Sequence, residues 1–166
     1  MVGPTVTGAY AIQALVCLAR RGDWVRGSET LATETRIPRS YLVKILHALA
    51  REGLVVTRRG RRGGYRLARS PERITLFDVV AAVEGPEVFS RCLLGLGRCS
   101  PERGCPVHAE WSSRRRLLLR RFRELTLREL ATFDRWDFER DYRSCLEKHL
   151  KSVPECGGSR TARGTT

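Results

Sequence analysis

A mainly α chain with one small β-hairpin is predicted by three observations. Apolar residues recur at helical spacing through the N-terminal third, a glycine- and arginine-rich turn separates two short apolar runs within 54–67, and a second long periodic stretch begins near Pro106. At 166 residues and 42% hydrophobic content, the chain can build one compact core with an appended helix or two.

Taken in order, Ala11, Leu15 and Leu18, with Ile12, Val16 and Ala19 on a neighbouring stripe, predict a first helix from Thr5 to Arg20, stopped by Gly22-Asp23. Ser28 offers an N-cap with Glu29 in the first turn. A short helix is therefore expected through Leu31, Ala32 and Thr35, ending before Ile37-Pro38, because proline biases its predecessor away from helical angles. In the third helix Leu42, Ile45, Leu46 and Leu49 make one narrow apolar face, and Ser40, Lys44, His47 and Arg51 fall on the opposite face, pointing away from the core. Gly53 ends it.

Leu54-Val55-Val56-Thr57 and Tyr65-Arg66-Leu67 read as strands around Arg58-Arg59-Gly60-Arg61-Arg62-Gly63-Gly64, where glycine permits the positive backbone angles of a hairpin tip. The arginines crowded there repel one another and add nothing to a core. A solvated loop is one reading. The other sets them beside phosphates or in a minor groove, where the strengthened negative potential attracts arginine. Helix, short helix, amphipathic helix with a polar outer face, then basic hairpin is the order of a winged helix-turn-helix. In that geometry the third, recognition helix enters the major groove and the wing reaches the adjacent minor groove. Arg39, Ser40, Tyr41, Lys44 and His47 on the helix and Arg59, Arg61, Arg62, Gly63 and Gly64 on the wing are the candidate DNA-binding residues.

Thr75, as an N-cap, opens a helix through Leu76, Val79, Val80 and Val83 that Gly85-Pro86 closes. After an irregular segment, Val107, Trp111, Leu118, Phe122 and Leu125 form one stripe, widened by Leu117 and Leu119. Such a wide stripe beyond the compact domain wants two partners, its own core and the same helix of a second subunit, so a long dimerisation helix and a homodimer are expected. Phe138, Tyr142, Cys145, Leu146, His149 and Leu150 suggest a last short helix, and the tail from Lys151 reads as disordered. The expected organisation is a DNA-binding domain over 1–85, a cysteine loop over 86–105, dimerisation and C-terminal helices over 106–150 and a tail over 151–166.

Charge agrees with the polyanion reading. Fourteen of the 31 Lys/Arg but only five of the 18 Asp/Glu lie in residues 1–75, so +9 of the net +13 is carried there. Phosphate neutralisation releases condensed counterions, which favours association of such a surface with double-stranded DNA. There is no run of eighteen apolar residues and no basic-then-apolar leader at Met1 to Gly8, so no membrane partner and a cytoplasmic location are expected. No nucleotide-binding glycine motif, Ser/His/Asp set or substrate-sized second domain is present, which argues against an enzyme.

Three of the six cysteines, Cys92, Cys99 and Cys105, cluster as C-x6-C-x5-C, and His108 completes C-x6-C-x5-C-x2-H. Without an export signal a disulfide scaffold is not expected. A glycine-bearing loop can wrap these donors around one inorganic centre, and thiolates suit iron-sulfur clusters and zinc alike. Structural zinc sites usually use a tight C-x2-4-C knuckle, which is absent, although a Cys3His finger has similar spacing; metal-free redox thiols are a third reading. His108 and Cys105 are expected on one helical face. Cys17 reads as a core residue.

Gly8-Ala9-Tyr10-Ala11, Ile37-Pro38-Arg39-Ser40-Tyr41-Leu42, Arg59-Gly60-Arg61-Arg62-Gly63-Gly64-Tyr65 and Thr126-Leu127-Arg128-Glu129-Leu130 together resemble the Rrf-two-type transcription regulators, whose branches include the IscR-like iron-sulfur cluster regulators and the NsrR-like nitric-oxide sensors. The resemblance spans about residues 5–130. It implies a dimeric winged helix protein, an iron-sulfur cluster (2Fe-2S ahead of 4Fe-4S, zinc as the alternative) on Cys92, Cys99 and Cys105 with His108 as the IscR-like fourth ligand, and binding to a palindromic operator. Three departures stand out. The first gap is one residue longer than the IscR-like pattern, and Val43 stands where that pattern has an acidic residue. The first helix, with Gly8-Ala9-Tyr10, lacks the acidic ligand of some NsrR-like members, which favours His108.

Overall fold

The computed structural model describes residues 4–20, 22, 25–60 and 63–133. The helix expected within 138–150, the tail over 151–166, Arg61, Arg62, Cys145 and Cys156 lie outside the described residues. Among the described residues, helix α1 (Val6–Arg20) is the centre of the core, with Ala11, Ala14, Leu15, Val16 and Leu18 buried, and helices α2 (Ser28–Thr35), α3 (Arg39–Arg51), α4 (Leu76–Glu84) and α6 (Leu127–Ala131) all touch it. The expected apolar face of α3 closes that core: Leu42, Leu46 and Leu49 are fully buried and Ile45 nearly so. Burying a side chain of this size contributes about 1.5–3 kcal/mol before the entropy cost of ordering it.

Strands β1 (Val55–Arg58) and β2 (Gly64–Leu67) pair antiparallel in the register Val55 with Leu67 through Arg58 with Gly64. Arg26, between α1 and α2, extends this hairpin by exchanging backbone hydrogen bonds with Tyr65 at 2.9 and 2.8 Å. Gly64 sits at φ 155°, and a Cβ there would overlap the Arg26 carbonyl, so the close approach of the two backbones requires glycine.

The caps divide. Thr75 caps α4 in a reciprocal capping box with Asp78, and Thr126 does the same for α6 with Glu129. Ser28 does not cap α2: Gly27 takes the N-cap position, and Ser28 instead accepts a hydrogen bond from Arg39 Nε at 3.1 Å. The capping-box threonines also face each other across a backbone bridge, Leu76 N–H to Leu125 O and Leu127 N–H to Ile74 O, which brings α6 back onto the core. Arg20 fastens α6 further by donating to the Ala131 and Phe133 carbonyls at 2.9 and 2.5 Å.

Between α4 and α6, helix α5 (His108–Glu124) is the longest element among the described residues, and none of its residues is buried in the single chain. Phe122 meets Phe89 edge-on at 5.8 Å, and Phe89 stacks on Phe77 of α4 at 4.8 Å, so an aromatic row fastens one side of α5. Leu117 and Leu118 on the helix are 56% and 37% exposed.

Candidate nucleic-acid interface and cysteine site

The exposed side of α3 carries Ser40, Lys44 and His47, as the spacing predicts, because the opposite side is committed to the core. Arg39 stands at the helix start, tied to Ser28 Oγ and 3.9 Å from the Glu29 carboxylate, with its side chain 60% exposed. Tyr41 is drawn inward: it is half-buried, meets Tyr10 of α1 edge-on at 5.8 Å, and shares a 2.5 Å hydrogen bond with Thr7 Oγ1. A groove of about 620 Å³ separates the C-terminal half of α3, at His47 and Arg51, from the wing residues Arg58, Arg59, Gly63 and Gly64.

Gly63 and Gly64 serve that groove through their backbone. A Cβ on Gly63 would collide with the Arg58 carbonyl, and the Gly63 N–H donates to Gly60 O at 2.8 Å, which tightens the tip and leaves Arg59 exposed. Missed by the sequence reading was Arg26, whose backbone steadies the wing while its guanidinium lies 3.7 Å from the Glu34 carboxylate. An isolated basic residue between two helices carries no periodic signal that could have marked it.

The cysteine segment is a hydrogen-bonded loop braced on α5. Arg91 and Arg98 bridge across it, Cys92 N–H donates to Gly97 O at 2.7 Å, and Cys99 N–H donates to Ser90 O at 2.8 Å. Positive φ at Gly95 and Gly97, 74° and 80°, lets the chain reverse between the first two cysteines. From α5, Trp111 Nε1 donates to the Arg91 carbonyl at 3.0 Å and Arg115 to the Ser90 carbonyl at 3.2 Å. Arg103 reaches back to the Leu96 carbonyl.

Cys92, Cys99, Cys105 and His108 are all half-buried, and they gather as two pairs. Cys99 Sγ lies 3.3 Å from His108 Nδ1, and the Cys92 thiol meets Cys105. The imidazole therefore sides with Cys99, not with Cys105 as helical spacing suggests. Among the described residues no three His, Cys, Asp or Glu side chains converge as a single metal-binding group. The Cys92 thiol is pulled below its ordinary pKa, chiefly by the Leu94 backbone and then by the Leu96 backbone, the Cys105 side chain and the Arg103 charge, against some opposing burial. A thiol held toward its thiolate is the form that binds metals and attacks electrophiles. Three sulfurs on one short loop and one imidazole at the start of α5 suit an iron-sulfur cluster or zinc in donor type. Cys17 lies elsewhere, on α1, donating to Glu34 Oε2 at 3.1 Å.

Residues 5–132 match the family model for Rrf2, described as an iron-dependent transcriptional regulator. The chain belongs to the Rrf2 family. A protein of Aquifex aeolicus named as an HTH-type transcriptional regulator is 32% identical to it over 149 residues, covering 89% of this chain and 95% of that one. Among solved structures, CymR of B. subtilis, the global cysteine regulator of that organism, superposes with a TM-score of 0.67 at 25% identity, over 80% of this chain and 98% of CymR. T. potens IscR follows with a TM-score of 0.60 at 25% identity, over 77% of this chain and 85% of its own. This Rrf2 chain is thus a winged helix transcription regulator by family, and its relatives are regulators rather than enzymes. No helix among its described residues is long and apolar enough to cross a membrane.

Proposed function

We propose that this Rrf2 regulator is a cytoplasmic homodimer that binds a palindromic operator in double-stranded DNA and senses redox, iron-sulfur or nitric-oxide status through an iron-sulfur cluster, 2Fe-2S rather than 4Fe-4S. Cys92, Cys99, Cys105 and His108 hold the cluster. The observation that carries this reading is the placement of three cysteines on one loop, with His108 at the start of α5 beside Cys99, and the tie of that loop to α5 through Ser90 and Arg91. The cluster supplies redox and ligand-exchange chemistry when bound. The protein's own residues fix the loop, limit solvent at half-buried sulfurs and join the loop to the helical body. Residues 1–85 bind DNA, 86–105 sense and 106–150 pair the subunits. Arg39, Ser40, Lys44 and His47, with Tyr41 beside them, meet the major groove, and Arg59, Arg61, Arg62, Gly63 and Gly64 meet the minor groove or its phosphates.

A zinc-bound or metal-free sensor is the second reading. It is favoured by the separation of the donors into two pairs and by the likeness to a cysteine regulator. Anaerobic purification decides between them: a coloured protein with iron and acid-labile sulfide supports the cluster, and one zinc per chain, or no metal, selects the second reading. Loss of iron and altered operator affinity on replacing Cys92, Cys99 and Cys105 together with serine is the expected result.

A further inference from the structure

The cysteine loop and the recognition helix are joined by a polar path that ends on Tyr41, the residue of α3 turned inward to Thr7. Its first member is Glu84, the last residue of α4. Gly85 at φ 79° turns the chain directly from it into the 3₁₀ segment Pro86–Ser90, whose Ser90 carbonyl accepts from Cys99 and Arg115. Glu84 Oε1 accepts from both the backbone N–H and the hydroxyl of Thr5, at 2.8 and 3.0 Å, and so holds the start of α1. Thr5 Oγ1 in turn accepts from the Thr7 N–H at 3.2 Å, and Thr7 Oγ1 bonds Tyr41 Oη at 2.5 Å, on the first turn of α3.

Two further observations mark this path as more than a helix cap. Gly8 is placed so that a Cβ would overlap Glu84 Oε1 and press on Pro4 Cβ at 2.9 Å, so the carboxylate occupies room that only glycine leaves. Glu84 Oε2 is buried with no hydrogen-bond partner among the described residues. A buried acceptor left unpaired is costly, which makes this a contact that a small shift of the neighbouring turn can exchange for another. Thr5 and Pro4 also line, with Cys92 and Gly95, one cavity of about 480 Å³, so the start of α1 and the loop share a boundary.

We infer that Glu84 is a positioning residue which, through Thr5 and Thr7, holds Tyr41 and the first turn of α3 in register with the cysteine loop. Loop rearrangement moves Gly85 and Glu84, releases Thr5, and loosens the entry of the recognition helix. The signal it transmits rests on the reading of the loop as a sensor; the tie from Glu84 to α3 does not.

The test is a double-mutant cycle on operator affinity with Glu84→Ala and Tyr41→Phe, two residues that share no hydrogen bond. Each single change is expected to weaken binding by roughly two- to tenfold, the range of one hydrogen bond. The double variant should then bind no worse than the weaker single, because both break one path. Multiplicative losses overturn the inference. Thr7→Ser should bind as wild type and Thr7→Val as Tyr41→Phe. The slope of affinity against salt should stay unchanged, since none of these groups neutralises a phosphate.

Gly8→Ala perturbs the same carboxylate from α1: its methyl displaces the flexible Glu84 side chain and presses on Pro4, so its midpoint in urea is read alongside its affinity. It should reproduce the Glu84→Ala affinity without further loss when combined with it, and wild-type affinity in Gly8→Ala would count against the path. Serine replacement of the three loop cysteines separates the two ideas. If it alters affinity in wild type and equally in Glu84→Ala, the coupling is overturned. If it alters neither while the cycle stays non-additive, the sensor reading falls and the tie is upheld.

Discussion

Lys44, His47 and Arg59 show how single side chains acquire a role from where the core leaves them. Lys44 and His47 are exposed because the opposite side of α3 is committed to the core, and Arg59 stands exposed at the wing tip. Alanine at Lys44 or Arg59 is therefore expected to lower operator affinity while leaving thermal stability within about 0.5 kcal/mol. Each change should also reduce the dependence of log affinity on log salt by about one for a phosphate contact. Unchanged affinity and slope in a filter or fluorescence titration would remove that residue from the interface. Gly64 is the opposite case. Alanine at its φ of 155° meets the Arg26 backbone, so Gly64→Ala should cost on the order of 1–3 kcal/mol, read as a lowered midpoint in urea unfolding.

Among the elements, α4 and α6 begin with the same device, a threonine and an acidic residue that satisfy each other's backbone groups. Thr75→Ala is expected to destabilise the fold by about 1 kcal/mol in denaturant unfolding. Glu129 adds a pH signature. Its carboxyl is held below the ordinary value of 4.5 by the Thr126 backbone and side chain, so its contribution is present above that value and is lost as pH falls through the lowered one. Thermal melts of wild type and Glu129→Gln should accordingly converge in acid, where both side chains are neutral. Divergence that persists at the lowest pH would contradict the assignment. Element type and order were legible from apolar spacing, because buried stripes follow from backbone geometry whatever lies opposite. The cap of α2 was not: Ser28 looks like an N-cap in sequence, but Arg39 from the next helix engages its hydroxyl instead.

For the whole molecule, the telling feature is a 17-residue α5 with no buried residue in the single chain, exposing Leu117 and Leu118 between arginines. Exposed leucines on a helix of that length are costly in water and are expected to be covered by a second subunit. Leu117→Glu should shift the protein toward monomer in sedimentation at micromolar concentration and weaken binding to a two-half-site operator more than to a single half-site. A variant that remains dimeric would move the interface elsewhere. At the same scale, +9 of net charge over residues 1–75 is expected to make DNA binding steeply salt-dependent.

Sequence alone determined the winged helix order, the polar side of α3, the basic wing and the four clustered donors, because periodicity, turn chemistry and spacing are local properties. Tertiary structure decided which donors meet, that Tyr41 turns inward to Thr7, that Arg26 completes the wing and that Glu84 reaches Thr5. Those are contacts between residues up to 79 positions apart. They depend on how α1 is enclosed by its neighbours, and no repeat or spacing along the chain encodes that.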